Sequence, residues 1–466
     1  MKSLKYIWIL CLSCLAAGLT SCNEEDKYFD SKYQSTKIVV DQIYLEDYES
    51  SVPDRPVTFA RLGQLIRVEG SGLYGMKKVY INGYETYFNR AYVTDHSMLI
   101  QINSNTPVED AEEADRNKIR FVKDDATLEH PFIIRAASPT ITGISNTLPK
   151  DKEKVTVYGT GLQETTKVTL PGGIEITADI ESDEDGEWYS FIMPENYSGS
   201  GSIYSEGANG QAATPAYFNF ADCMILDFDG NGSQGFWSWS ETGSMINADD
   251  LVEDPYDSGR GKCVQIVPER LLKAGVISGK PRVSECWTAG NDDAADDWSR
   301  MYSYIPATTP LTEVALQFDV YVPEAWSGTG HLQISLFNNF NFGGIGSDDD
   351  GASNQVAFYV PWIQEGAIVP FSTTGWQTVT IPFSQFNKYA MIEDKESPVF
   401  QNVVEDRNAA TYRNFGMGFV NTDFTYQDVS ITSTAFSSRI YLDNWRVVPY
   451  KTVTISDYPE DEETTE

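Results

Sequence analysis

Leu65-Ile-Arg-Val-Glu-Gly70-Ser-Gly72-Leu73 and Val155-Thr-Val-Tyr-Gly159-Thr-Gly161-Leu162 are two versions of one phrase. In each, an alternating apolar and polar run reads as a strand with one buried face. The Gly-x-Gly-Leu that follows reverses the chain where a Cβ would interfere. A second strand comes next: Lys78-Val-Tyr-Ile-Asn-Gly83 in the first copy, Lys167-Val-Thr-Leu-Pro-Gly172 in the second. Gly70 and Gly159 are 89 residues apart, close to the length of a small sandwich domain. The repeat marks out two modules, residues 37–136 and 137–221, the first opening on the alternating Thr36-Lys-Ile-Val-Val-Asp-Gln-Ile-Tyr44. Pro139 and Pro149 fall near the junction and are expected to stiffen it.

Residues 222–451 are too long for a third copy. Short alternating strands recur through them: Met224-Ile-Leu-Asp-Phe-Asp229, Lys262-Cys-Val-Gln-Ile266, Val314-Ala-Leu-Gln-Phe-Asp-Val-Tyr-Val322, Leu332-Gln-Ile-Ser-Leu-Phe337, Gly375-Trp-Gln-Thr-Val-Thr-Ile-Pro-Phe383 and Arg439-Ile-Tyr-Leu-Asp443-Asn444-Trp-Arg-Val-Val448. Strongly periodic helical stretches are absent, and the fold class expected for the whole chain is all-β. Residues 452–466 read as an acidic tail.

Length and charge bound the function. The 466 residues carry 68 acidic against 34 basic side chains, a net charge of -34. Such a surface repels nucleic acid and anionic lipid and suits a neutral partner or a cation. At the N-terminus, Lys2 and Lys5 precede an apolar run from Tyr6 to Leu19, shorter than the ~20 residues of a membrane span. Leu19-Thr20-Ser21-Cys22 follows. The order resembles the signal peptide and lipobox of bacterial lipoproteins, with residues 1–21 removed, Cys22 lipidated and residues 22–36 a tether. The acidic Asn23-Glu24-Glu25-Asp26 resembles the export signal of Bacteroidetes surface lipoproteins, implying the outer face of the outer membrane. Cys223, Cys263 and Cys286 match no metal-knuckle spacing and read as buried small hydrophobes.

The two repeated modules resemble IPT/TIG immunoglobulin-like domains and read as spacers. Residues 222–451 resemble jelly-roll carbohydrate-binding modules: an initial Phe-Asp strand, a Gly-Trp-Gln-Thr-Val strand and a final Leu-Asp-Asn strand recur there. Together with the lipobox, the chain is similar to surface glycan-binding protein B of polysaccharide utilisation loci. That resemblance implies a C-terminal domain that binds a plant cell-wall glycan, such as xyloglucan, on an aromatic platform. It also implies partners in a TonB-dependent transporter and surface glycosidases.

The region holds eight of the chain's ten tryptophans. Trp326, Tyr359 and Trp362 sit beside turn residues, where rings tend to stay half exposed, so they are the expected platform. Trp287 and Trp298 flank the acidic run Asn291–Asp297 as a second wall, and Trp237 and Trp239 are a further pair. Trp376 and Trp445 lie within strand patterns and read as core. Asn338, Asn339 and Asn341 read either as polar rim or as a solvated strand face. Asp227-x-Asp229-x-Asn231-Gly232 begins like an EF-hand loop, but Ser238 stands where the closing glutamate belongs. Jelly-roll relatives imply a structural Ca²⁺ between first and last strands, with Asp227, Asp229 and Asp443 as its ligands. No catalytic residue is assigned. A β-sandwich glycoside hydrolase or lyase, and an adhesin, are the alternatives; with 68 acidic residues, candidate carboxylate pairs are uninformative.

Overall fold

The computed structural model describes residues 37–458 apart from 48–49, 51, 53, 236–244, 257, 267–283, 290–296, 338–342, 348–350, 352–353 and 391–396. The expected signal peptide, Cys22 and the expected tether, Trp237, Trp239, and the three asparagines at 338, 339 and 341 therefore lie outside the described residues. No described helix is long and apolar enough to cross a membrane.

Each repeat is a sandwich of two four-stranded sheets. In the first, Arg55–Pro56, Val39–Leu45, Leu65–Ser71 and Ser97–Gln101 form one sheet, and Tyr84–Thr86, Lys78–Ile81, Lys118–Val122 and Thr127–Pro131 the other. The second builds Thr140–Ile144, Lys154–Thr160, Trp188–Ile192 and Glu181–Ser182 against Ile174–Ile176, Lys167–Leu170, Tyr204–Gly207 and Gly210–Ala213. The repeated strand obeys its alternation: Ile66, Val68, Val155 and Val157 are fully buried.

The repeated glycines do the same work twice. Both opening strands carry a register shift, between Val40 and Gln42 and between Ile141 and Gly143. There the opposing strand comes so close that a Cβ on Gly70 would lie 1.9 Å from the Val39 carbonyl oxygen, and one on Gly159 would lie 1.9 Å from that of Thr140. Gly72 and Gly161 both hold φ near +70°, which L side chains rarely adopt. Leu73 and Leu162 then drop into their cores.

The chain divides into two compact units. One holds the first sandwich with Ala208–Gly210 and the segment from Ile455; the other holds Thr140–Gly207 and Gln211–Thr454. Inside the second unit the second sandwich and the C-terminal domain share one hydrophobic cluster, from Ile144 through Val448. Hydrogen bonds join them: Thr378 N–H donates to the Ser145 carbonyl at 2.8 Å, and Thr147 Oγ1 accepts from Arg446 Nη2 at 2.8 Å.

The C-terminal domain is itself a sandwich. One sheet runs Val252–Glu253, Lys262–Ile266, Ile440–Pro449, Val314–Tyr321, Gln377–Pro382, with Met224–Leu226 also paired to Ile440–Pro449. The other runs Gln234–Gly235, Glu285–Thr288, Gly416–Val420, His331–Ser335, Val356–Tyr359. Strand Val314–Tyr321 buries a charge, Asp319. Its carboxylate meets Arg260 Nη2 and Arg446 Nη2, both at 3.0 Å, and accepts from Asn444 Nδ2 at 2.9 Å. Burial pushes this carboxyl up, but the two guanidiniums outweigh it and hold it below the usual range. Cys223, Cys263 and Cys286 are buried free thiols, and burial pushes that of Cys223 up to about 12.

Candidate functional site

Gln377–Pro382 and Val356–Tyr359 are the terminal strands of their sheets, and between them opens a groove of 530 Å³. Binding sites for small ligands fall in a range of about 300–1,000 Å³. One wall is Ala357 to Pro361 with Ile363, the other Val379 to Ile381. Tyr426 and Gln427 also line it, and Gln385 and Asn387 supply further polar groups. No acidic or basic side chain lines it among the described residues.

Local sequence explains each part. In Val356–Tyr359, Ala357 and Tyr359 share the inner face. Tyr359 stands edge-on to Phe318, with ring centroids 5.7 Å apart, and edge-on to Phe371 at 6.3 Å. It is the last residue of a terminal strand, so its ring remains half-buried at the mouth of the core. Its hydroxyl has no hydrogen-bond partner among the described residues, and burial pushes its pKa up, so it stays a neutral donor. The strand stops at Tyr359, two residues short of Pro361, which has no N–H to give a ladder. Tyr426 pairs with Val429 across a two-residue turn in which Gln427 and Asp428 have φ of 48° and 63°. This left-handed pair is the tight hairpin geometry, and it sets the exposed Gln427 beside the half-buried Tyr426 ring.

Rings over an apolar floor with amides at the rim can cover the C–H face of a neutral pyranose and bond its hydroxyls. Hydrolysis would need two carboxylates about 5–10 Å apart.

The expected platform is corrected. Trp326 and Trp362 are wholly buried, and of the three rings only Tyr359 reaches solvent. The physical reason is the indole N–H. Trp326 Nε1 donates to the Thr329 carbonyl at 2.8 Å, and Trp362 Nε1 to the Gly330 carbonyl at 3.0 Å. Both acceptors lie in the short segment that follows Trp326, and they let the two rings fold inward. Trp326 then packs on Phe419 at 5.7 Å and Trp362 on Phe424 at 6.0 Å.

The second wall is corrected likewise. Trp287 is buried against Gly416, its Nε1 donating to Glu285 Oε2 at 3.0 Å. Trp298 is stacked on Phe383 at 6.2 Å beneath the Arg407 guanidinium, which lies 3.8 Å from its ring centre. Trp376 and Trp445 are buried, as their strand positions imply.

The calcium expectation fails on donor use. Asp227 Oδ1 accepts the backbone N–H groups of Asp229, Gly230 and Asn231 at 2.8–3.1 Å. Asp229 caps the Lys262 N–H at 3.0 Å. Asp443 is buried, which pushes its pKa well above the usual carboxylate range. Among the described residues no group of three or more His, Cys, Asp or Glu side chains could hold a metal ion.

Sequence reasoning missed Tyr426, Gln427, Gln385 and Asn387. The cue used for Trp326, an aromatic beside a turn, also applies to Phe424-Thr-Tyr426-Gln-Asp428.

Comparison with known proteins agrees with this architecture. The fold is similar to that of the surface glycan-binding protein B of Prevotella bryantii over 89% of this chain and 99% of that one, with a TM-score of 0.60 and 20% identity, which establishes a common fold. An IPT/TIG domain-containing protein of Bacteroides ovatus is 27% identical over 314 residues, 66% of this chain and 52% of the relative, so the chain spans about half the length of that curated relative. Residues 218–449 match the family described as the surface glycan-binding protein B xyloglucan binding domain. Residues 218–449 thus belong to the surface glycan-binding protein B xyloglucan binding domain family.

Proposed function

We propose that this chain binds a neutral plant cell-wall polysaccharide, of β-glucan, xyloglucan or mannan type, in the groove between the two terminal strands, and presents it for uptake and degradation. The observation that carries the reading is the groove itself: Phe358, Tyr359, Pro361 and Tyr426 with the amides of Gln385, Asn387 and Gln427, and no charged side chain among its described lining. A ligand without charge avoids the desolvation that an unpaired uronate would incur there. The family's domain description and the -34 net charge favour the same class of ligand. The lipobox-like Leu19-Thr20-Ser21-Cys22 supports a lipid anchor at the outer membrane surface, with a TonB-dependent transporter and surface glycosidases as partners.

Calorimetric titration with xyloglucan, mixed-linkage glucan, mannan and polygalacturonate tests the binding reading. Saturable binding to at least one neutral polymer, and none to polygalacturonate, is expected. Retention of binding in a Tyr426→Ala, Gln427→Ala double variant would move the site elsewhere. New reducing ends after incubation would replace binding with hydrolysis.

A further inference from the structure

The first sandwich carries a parallel strand pair, Phe59–Arg61 with Ile133–Arg135, in the register Phe59↔Ile133 and Arg61↔Arg135. Alternate residues share a face. Ala60 and Ile134 are buried in the core, so Phe59, Arg61 and Arg135 stand together on the other face. Two adjacent guanidiniums repel unless an anion lies between them. Here the anion is Asp457. Arg61 grips it as a fork, Nε to Oδ2 at 2.6 Å and Nη2 to Oδ1 at 2.7 Å, and Arg135 Nη1 lies 3.8 Å from Oδ1. Tyr458 lies flat on Phe59, with centroids 5.7 Å apart and planes 10° apart. Each of these rings also carries a guanidinium: Arg55 is 4.7 Å from the centre of Tyr458, and Arg135 is 3.8 Å from that of Phe59. Ser456 Oγ accepts the Tyr458 N–H at 3.0 Å and shapes the segment.

We propose that this face of the first sandwich is a receptor for a carboxylate followed by an aromatic ring, and that its occupant is the chain's own Ser456-Asp-Tyr458, reversibly docked. The first module is then a docking domain as well as a spacer, and residues 452–466 are not wholly a free acidic tail. A forked guanidinium–carboxylate pair recognises shape as well as charge, so the cradle discriminates Asp457 from Asn.

The test uses the full chain and a chain ending at Thr454, with a fluorescent peptide of residues 455–460. The shortened chain is expected to bind the peptide and the intact chain to exclude it. Asn in place of Asp457 in the peptide is expected to weaken binding roughly tenfold. Equal capture by both chains, or none by the shortened one, overturns the proposal. As a check independent of the truncation, Asp457→Asn and Tyr458→Ala are made in the full chain and followed by amide exchange. Faster exchange confined to Phe59–Arg61 and Ile133–Arg135 supports docking, and unchanged exchange there refutes it.

Discussion

His331 makes the C-terminal domain sensitive to acid, and the size of the effect follows from its surroundings. The side chain is fully buried, edge-on to Phe424 at 4.7 Å and to Phe358 at 5.7 Å. Nε2 accepts the Ile345 N–H at 3.3 Å. Protonation would destroy that acceptor and place a charge among rings. Burial accordingly depresses the pKa from 6.5 to about 3. Between those values the unfolded chain binds a proton that the folded chain refuses, so stability rises with pH across the window and the contribution is complete above 6.5. At about 1.4 kcal/mol per unit, acidification to roughly pH 4.5 removes about 3 kcal/mol. Asp319 and Asp443 titrate in the same domain, so the measurement is a comparison. His331→Gln keeps an acceptor for Ile345 and cannot take up a proton. Urea unfolding of both proteins, followed by tryptophan fluorescence from roughly pH 7 down to 4.5, isolates the histidine. The parent should lose about 3 kcal/mol more than the variant over that range. Parallel stability curves for the two proteins would refute the argument.

Three further outcomes are expected. Tyr426→Ala with Gln427→Ala should weaken neutral-glucan binding by about 1–2 kcal/mol, roughly tenfold, with an unchanged circular dichroism spectrum; calorimetry reads this directly. Trp326→Ala should behave as a core deletion and cost about 3–5 kcal/mol in urea unfolding; a variant that loses glycan binding at full stability would restore the exposed-platform idea. Gly159→Ala should destabilise the second sandwich by about 1–3 kcal/mol, because its Cβ would meet the Thr140 carbonyl at 1.9 Å; an unshifted denaturation midpoint would show that the strand crossing can relax.

The architecture was legible because its signals are local. Gly-x-Gly-Leu follows an alternating strand twice at the spacing of one sandwich, and both times it marks a bulged, close strand crossing. Alternation in Val314–Val322 and Arg439–Val448 likewise specifies strands without reference to partners. The binding surface was not legible, because sequence gives a ring's position along the chain but not the direction it faces. Trp326 and Tyr359 both sit near turns. Trp326 turns inward because the Thr329 carbonyl lies within reach of its N–H, whereas Tyr359 ends a terminal strand and stays at the mouth of the core. The groove brings Pro361, Val379 and Tyr426 together from three separate segments. The chain by itself determined an all-β protein with a repeated sandwich and a larger aromatic-rich domain. Only the tertiary structure decided which aromatics face solvent, since that depends on carbonyl acceptors and strand edges: Trp326 finds its acceptor three residues on, but Trp362 finds its own at Gly330, on a separate segment.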